Sequence, residues 1–184
     1  MGLLNSVYLV ILSIYSLQYL GPPYVWAPQL LGDNISIQGP NAAVIASGIV
    51  YWMGIDKFYK YDGRIQTLNC DLRRFIFNDI NKDQNLQVFA GLNEGFNEVW
   101  WFYCSENSTE IDRYVIYNYE ENTWSIGSLV RYSWLDAGIE DLPLSGAQSS
   151  GQSLVFEHET GYNDNNGPMT NVFIESGDTA IGDG

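Results

Sequence analysis

The sequence predicts an all-β protein built of propeller-like stacked antiparallel sheets in about three repeat units. First, residues 97–129 are rich in Val, Ile, Tyr and Trp, which pack best on a pleated surface. Second, Trp100 and Trp101 are adjacent, so on a strand they point to opposite faces. A sheet with one wet face would alternate apolar and polar residues, so both faces are expected to be covered. Third, these runs recur along the chain.

The composition supports this fold class and restricts the function. Aromatic residues make up 15% of the 184 residues and there are 18 glycines, as in an all-β domain with many turns. The length suits one domain, or part of a larger one. The net charge is −14, with 8 Lys and Arg against 22 acids. Because binding to phosphate backbones depends on Lys and Arg, the sequence predicts no sequence-specific nucleic-acid binding.

The segment 1–47 is predicted to contain N-terminal strands and an irregular segment. Residues 2–20 are apolar, but polar residues interrupt them and the first positive side chain is Lys57. One or two buried strands are therefore favoured over a membrane or export segment, which stays open as the alternative. Pro28 and Pro40 predict an irregular chain, with short candidate strands at 24–26 and 35–37.

Residues 48–184 are predicted to form the propeller-like β domain. Strands are expected at 49–54, 57–61 and 64–68, with Asp62-Gly63 as a hairpin turn. Residues 48–52 correspond to 97–101, and residues 59–63 correspond to 117–121. A weaker third copy begins at Gly151, with its hairpin turning at 161–167. The periods from Val50 to Val99 to Leu154 are typical of propeller blades. A β-sandwich whose strands merely look alike is the alternative.

The segments between the repeats are less regular. Leu72, Phe75, Ile76 and Ile80 have helical spacing, so a short helix or turn is expected within 71–89. A loop is expected around Pro143. A strand at 172–174 is followed by an ending without a cap or polar tail, which indicates a domain truncated at its C-terminus.

No catalytic, cofactor-binding or metal-ligating residue is predicted, and the chain is not expected to be an enzyme. His158 is interpreted as a hydrogen-bonded strand or edge histidine. The alternating Asp79, Asn81, Asp83 and Asn85 resemble a calcium loop but lack its glycine and its final glutamate. Residues 163–167 are interpreted as a turn.

The cysteines and the carboxylates are two further candidates for a reactive site. Cys70 and Cys104 have no metal or disulfide-framework spacing and are predicted to be free buried thiols. With 22 acids some carboxylate pair will be close enough for glycoside hydrolysis, but the sequence singles none out.

Several runs of the chain resemble one family of tailed-bacteriophage tail proteins. These runs are residues 16–23 (SLQYLGPP), 50–54 (VYWMG), 58–64 (FYKYDGR), 97–103 (NEVWWFY), 112–119 (DRYVIYNY), 123–124 (TW), 174–177 (IESG) and 181–184 (IGDG). Together they extend from residue 16 to the end. The family consists of virion structural proteins that are similar to the nozzle or tail-tube proteins of short-tailed phages.

The resemblance implies a structural function without catalytic residues or cofactors. It implies propeller-like domains that form a homo-oligomeric ring, typically hexameric, around the DNA exit channel, beside other phage tail or portal proteins. The location would be the virion, and the host cytoplasm during assembly, with no membrane. The acidic surplus would keep the DNA path non-adhesive. The rival functions are a carbohydrate-binding or glycoside-cleaving propeller and an exported bacterial surface propeller.

Overall fold

The computed structural model describes residues 6–10, 13–137, 142–149, 151–164 and 167–168. Strands dominate these residues, so the predicted all-β class is confirmed. The strands are β1 (Ser6–Val10), β2 (Ser13–Tyr19), β3 (Trp26–Asp33), β4 (Ala43–Ala46), β5 (Ile49–Met53), β6 (Phe58–Tyr61), β7 (Ile65–Leu68), β8 (Phe89–Asn93), β9 (Glu98–Tyr103), β10 (Arg113–Asn118), β11 (Thr123–Ser128), β12 (Leu144–Ser149), β13 (Gln152–Glu157), β14 (Asn163–Asp164) and β15 (Gly167–Pro168).

The strands form antiparallel sheets in which consecutive strands pair. The N-terminal sheet has the order β1-β2-β3, the first four-stranded sheet β4-β5-β6-β7, and the second four-stranded sheet β11-β10-β9-β8. The strands β12 and β13 form a C-terminal hairpin, and β14 pairs with β15. Residues 163, 164 and 167, predicted to lie in a turn, therefore belong to strands, and residues 165–166 lie outside the described residues. A helix α1 (Arg73–Asp79) and a 3₁₀ segment (Lys82–Gln87) connect the two four-stranded sheets, as the helical spacing predicted.

The two four-stranded sheets pack on each other through a shared apolar core. Trp101 of β9 is fully buried there, with its ring centroid 5.0 Å from that of Phe58 on β6. Ile76 of α1 and Val115 of β10 belong to the same cluster. The helix therefore closes one side of the interface between the sheets.

The opposite faces of both sheets are covered as well. On the first sheet, Trp52 and Tyr59 stack at 5.1 Å and pack with Ile14 of the N-terminal sheet. On the second sheet, Trp100 stacks at 5.0 Å on Trp134, which belongs to the connection leading to the C-terminal hairpin. The predicted burial of Trp100 and Trp101 on opposite faces is thus confirmed.

The side chains of the repeat predicted from the sequence have the same orientation in the two four-stranded sheets. Val50 and Trp52 of β5 pack toward the N-terminal sheet. Val99 and Trp101, at the same positions of β9, pack toward the first four-stranded sheet. In β13, residues 154 and 156 are half-buried, whereas Val155 between them is exposed. All-β stacked sheets are therefore present; the propeller arrangement remains a prediction, and a sandwich is compatible with this packing.

One predicted correspondence between the repeats, that of Tyr59 with Tyr117, is wrong by two residues. Val50 pairs with Tyr61, and its counterpart Val99 pairs with Tyr117. Tyr61, and not Tyr59 as predicted, therefore occupies the position of Tyr117. A shift of two residues keeps every side chain on its predicted face, because the side-chain period of a strand is two.

The first strand of each unit was missed by the sequence analysis. The strand β4 lies in what was predicted as a connection, and β8 and β12 were not predicted. Because β4 pairs with β5, the predicted boundary after residue 47 falls between two strands of one sheet. The strands β8 and β12 contain Ala, Gly and Ser, whose strand preference is weak, and β4 is only four residues long and begins and ends with Ala.

Three local predictions in the N-terminal half were wrong. Pro28 lies inside β3 opposite Leu17, which is tolerated because β3 is an edge strand of its sheet. Residues 35–37 form no strand. They pack as a loop in which the Ser36 carbonyl accepts a hydrogen bond from the Trp52 indole at 3.2 Å. Of residues 24–26, only Trp26 belongs to a strand.

Other predictions have mixed outcomes. Phe75, expected on the inner face of the helix, is exposed, whereas Ile76 and Ile80 are buried. Within the described residues, no helix is long and apolar enough to cross a membrane. The predicted strand 172–174 and the closing runs of the family resemblance lie outside the described residues.

Candidate functional site

An exposed apolar surface formed by neighbouring residues lies on the N-terminal hairpin, defined as residues 13–33, which comprises β2, β3 and their connection. The connection closes with a hydrogen bond from the Leu20 N–H to the Val25 carbonyl at 3.2 Å. Tyr24 in this connection is 75% exposed, and Trp26 at the start of β3 is 45% exposed. Large aromatic side chains left in water on one element indicate an interaction surface.

The strand register explains why this hairpin has one dry and one wet face. Ile14 and Ser16 of β2 are buried on the inner face, and Ile14 packs on the first four-stranded sheet. The alternate residues of β2 point outward and are paired with apolar residues of β3. These outward pairs are Tyr15 with Leu30, Leu17 with Pro28, and Tyr19 with Trp26.

We call these six residues, together with Leu20, Tyr24 and Val25 of the connection, the outward face. The rings of Tyr19 and Trp26 lie edge to face with centroids 5.3 Å apart, so the face is preformed at this end. Leu30 is 52% exposed. The outward face therefore has the apolar and aromatic composition of the buried faces between the sheets, although it is in contact with water.

The outward face is also free of charge. No charged side chain precedes Asp33, so the whole net charge of −14 arises from residues 33–184. The molecule therefore combines an acidic body with a neutral apolar end. This segregation of charge is visible in the sequence, but residues 2–20 were predicted to be buried strands, and the exposed face was not predicted.

A second candidate is a polar cluster that joins the second four-stranded sheet to the chain after β13. The side-chain amide of buried Asn93 donates hydrogen bonds to Glu98 at 3.3 Å and to Glu159 at 3.0 Å. The Trp100 indole donates to the same Glu98 oxygen at 2.9 Å. Burial raises the pKa of Glu98 from its usual value, and the negative charge of Glu159 raises it further.

This cluster brings together a carboxylate pair that the sequence could not single out. Glu159 is 66 residues from Asn93 in the chain, so no local pattern connects them. One carboxylate has a raised pKa, as a general acid requires. However, the Glu98 carboxylate already accepts hydrogen bonds from the Asn93 amide and the Trp100 indole, and Trp100 is itself buried. The arrangement therefore holds two parts of the stack together through hydrogen bonds.

His158 is hydrogen-bonded, as predicted, and lies directly after the last residue of β13. His158 Nε2 accepts a hydrogen bond from Arg131 Nε at 3.0 Å, and its ring lies 4.7 Å from that of Trp134. Its backbone N–H donates to the Pro143 carbonyl at 2.8 Å. Arg131 also lies over the Phe156 ring at 4.1 Å. These contacts attach the C-terminal hairpin to the second four-stranded sheet.

The remaining residues considered for chemistry also have structural partners. Asp79 accepts a hydrogen bond from the Tyr103 hydroxyl at 3.2 Å and lies 3.4 Å from Arg113 Nε. The Asn81 side chain accepts from the Asp83 N–H, as in a cap at the start of the 3₁₀ segment. In the described part of the chain, no group of three or more His, Cys, Asp or Glu side chains could hold a metal ion.

The two cysteines are free and buried, as predicted. Burial raises the pKa of each thiol to about 11, because the thiolate loses its hydration in apolar surroundings. At neutral pH both are therefore protonated and poor nucleophiles.

Comparison with known proteins adds no relative: no protein-family model matches the chain, and no curated protein is significantly similar to it. Function must therefore be argued from the residues themselves.

Proposed function

We propose that this chain is a structural component of a bacteriophage tail, similar to a nozzle or tail-tube protein, which assembles with copies of itself around the DNA exit channel. The observation that carries the proposal is the stack of sheets that are dry on both faces and end in an uncharged apolar face. Such a molecule suits a structural component, because buried apolar contacts hold its sheets in rigid layers and an exposed apolar face is available for contact with other proteins. The sequence runs that resemble tail proteins support the same function.

The interior of the stack suits a component that must keep its shape. Neighbouring sheets are joined by fully buried rings such as Trp52 and Trp101, whose indole N–H groups donate to the backbone carbonyls of Ser36 and Ala42. Buried rings with fixed hydrogen bonds resist sliding of one sheet over another, because sliding would break both packing and hydrogen bonds.

The charge of the molecule suits a surface past which DNA moves. With 22 acids and 8 Lys and Arg, the body repels the phosphate backbone and offers few contacts that would hold it. If the protein lines the exit channel, its acidic residues should face the lumen. A structure of the assembled ring with a neutral or basic lumen would contradict this part of the proposal.

The decisive experiment locates the protein in virus particles. Antibodies raised against the chain should label the tail end of purified virions in immunogold electron microscopy, and portal, capsid and terminase genes should lie near its gene. Absence of the protein from purified virions, tested by mass spectrometry, would overturn the proposal. Within an infected host, the same antibodies should detect it in the cytoplasm during assembly.

Carbohydrate binding is the second candidate function, and the exposed aromatic rings favour it. Tyr24 is 75% exposed, Trp26 is 45% exposed and Tyr162 is 94% exposed. Aromatic rings at an exposed site can stack on the apolar faces of sugars. A glycan array would test this: we expect no binding, whereas binding that is lost in Trp26→Ala would support the carbohydrate function instead.

A further inference from the structure

We infer that the outward face of the N-terminal hairpin is the surface through which this chain binds a second copy of itself. The inference rests on the proposed function in one respect, since a tail component must associate with its own copies. It adds which surface is used and why that surface selects another copy as its partner.

The area of the outward face is large enough for an interface between two copies. Tyr19, Leu20, Tyr24, Val25, Trp26 and Leu30 are each between 45% and 75% exposed. With roughly 150–250 Å² for a whole aromatic side chain, they leave on the order of 600 Å² of apolar surface in water. This is at the upper end of the apolar patches, of about 300–600 Å², that monomers expose. Two such faces would bury about 1,200 Å², the lower limit for a stable specific interface.

The charge distribution also favours contact through this face. Two copies that each carry a net charge of −14 repel one another, and acidic surfaces pressed together would place like charges in contact. The nine residues of the outward face carry no charge, and Asp33 lies beyond them at the end of β3, where its carboxylate accepts a hydrogen bond from the Ser13 hydroxyl. Contact through this face lets like-charged bodies associate while their acids stay in water. A neutral face also gives no preference for nucleic acid or for an anionic membrane.

The geometry of the hairpin favours contact through its face. The edge strand β3 carries Pro28, which has no N–H to donate, so strand addition along this edge would lack a hydrogen bond in the middle of the strand. On the β3 side of the sheet, the apolar face therefore offers a more continuous contact than the strand edge. Face-to-face contact is also how the sheets within this chain pack on one another, through rings such as Trp52 and Tyr59.

The test measures association of the full chain by sedimentation velocity across a wide range of protein concentration. The wild type should self-associate. Leu30→Lys places an unpaired charge in the contact and should raise the dissociation constant by roughly 100-fold. Tyr24→Ser removes apolar area without adding charge and should raise it by roughly 10-fold.

The matched control is Leu86→Lys, because Leu86 is 74% exposed but lies in the 3₁₀ segment, away from the hairpin. It should leave association unchanged. Leu30 and Leu86 are both exposed in the single chain, so neither lysine is buried on folding. Because self-association itself stabilises the folded state, the urea midpoints are compared at protein concentrations low enough for every variant to be monomeric, where they should equal that of the wild type. This comparison separates a contact defect from a folding defect.

The inference is overturned if the wild type stays monomeric at every concentration, or if Leu86→Lys weakens association as much as Leu30→Lys. In the monomeric case, neutral phosphatidylcholine vesicles that bind the wild type but not Leu30→Lys would show that a lipid bilayer, and not a second copy, covers the outward face. The outcome is independent of the virion experiment. Association through this face in a protein that is absent from virions would keep the inference and reject the phage-tail function.

Discussion

Replacement of Trp101 by alanine tests whether the two four-stranded sheets are held together through a dry aromatic core. Trp101 is fully buried, contacts Phe58 of the other sheet at 5.0 Å between centroids, and donates its indole N–H to the Ala42 carbonyl at 3.0 Å. Truncation of a buried Trp to Ala costs about 3–5 kcal/mol through lost burial and the cavity left behind.

The lost hydrogen bond adds a smaller amount. The Ala42 carbonyl still accepts a hydrogen bond from the Met53 N–H at 3.0 Å, so no buried acceptor is left unpaired. The bond itself contributes about 1 kcal/mol. We therefore expect Trp101→Ala to lower the free energy of unfolding by about 4–6 kcal/mol, a large share of the roughly 5–15 kcal/mol of an average domain. Trp101→Phe keeps a ring and should lose less.

The assay is urea unfolding followed by circular dichroism and fluorescence, with coincidence of the two curves as the check for a single transition. Tyr162→Ala is the control, because that side chain is almost fully exposed and its loss should change stability by no more than about 0.5 kcal/mol. If Trp101→Ala costs no more than Tyr162→Ala, the sheets do not pack through this face and the stacked architecture is refuted.

Three further predictions concern the cluster, the thiols and one glycine. Because the pKa of Glu98 is raised above its ordinary value of 4.5, mainly by burial, the folded state binds more protons than the unfolded state just above pH 4.5. The Glu98 contribution to stability is therefore most favourable at low pH and falls as the pH rises through the folded pKa. Glu98→Gln should become more stable relative to the wild type between pH 4 and pH 7, as measured by urea unfolding at about those pH values. Cys70 and Cys104, whose pKa values are raised to about 11, should not react with an aromatic disulfide reagent at neutral pH until the chain is unfolded. Gly39→Ala should destabilise the protein by about 1–3 kcal/mol, because its added Cβ would overlap the Asn85 backbone carbonyl.

Each of these has an opposing outcome. A difference between Glu98→Gln and the wild type that does not change with pH would show that Glu98 titrates normally. Rapid modification of either thiol in the folded protein would show that it is accessible. A Gly39→Ala variant as stable as the wild type would show that the loop can move away from the 3₁₀ segment.

Much of the fold followed from local pattern. The adjacent Trp100 and Trp101 predicted a sheet that is dry on both sides, and the structure buries them in two different clusters. The repeat of Val50 and Trp52 at Val99 and Trp101 predicted equivalent strands, and both pairs point toward the preceding sheet. These predictions succeeded because side-chain alternation and strand preference depend on residues that are neighbours in the chain.

The candidate sites were less predictable. The N-terminal hairpin is visible in the sequence as a long uncharged segment. However, an apolar strand has the same sequence pattern whether its face is buried or exposed, so the sequence did not show that the outward face is exposed. The grouping of Asn93, Glu98 and Glu159 requires the chain after β13 to return to the second four-stranded sheet. No spacing in the sequence encodes that return.

The sequence by itself determined the β class, the repeated strands and the separation of an acidic body from an uncharged end. Only the tertiary structure decided where the first strand of each unit lies, which elements cover each buried face and which apolar face stays in water. The strand β8 shows the reason: its Ala90 and Gly91 have weak strand preference, and its place is set by the chain segments that pack against it. An added Cβ on Gly91 of β8 would lie 2.6 Å from the Trp134 side chain, a contact between residues far apart in the chain. Local chemistry selects the elements, whereas contacts between distant residues select their arrangement.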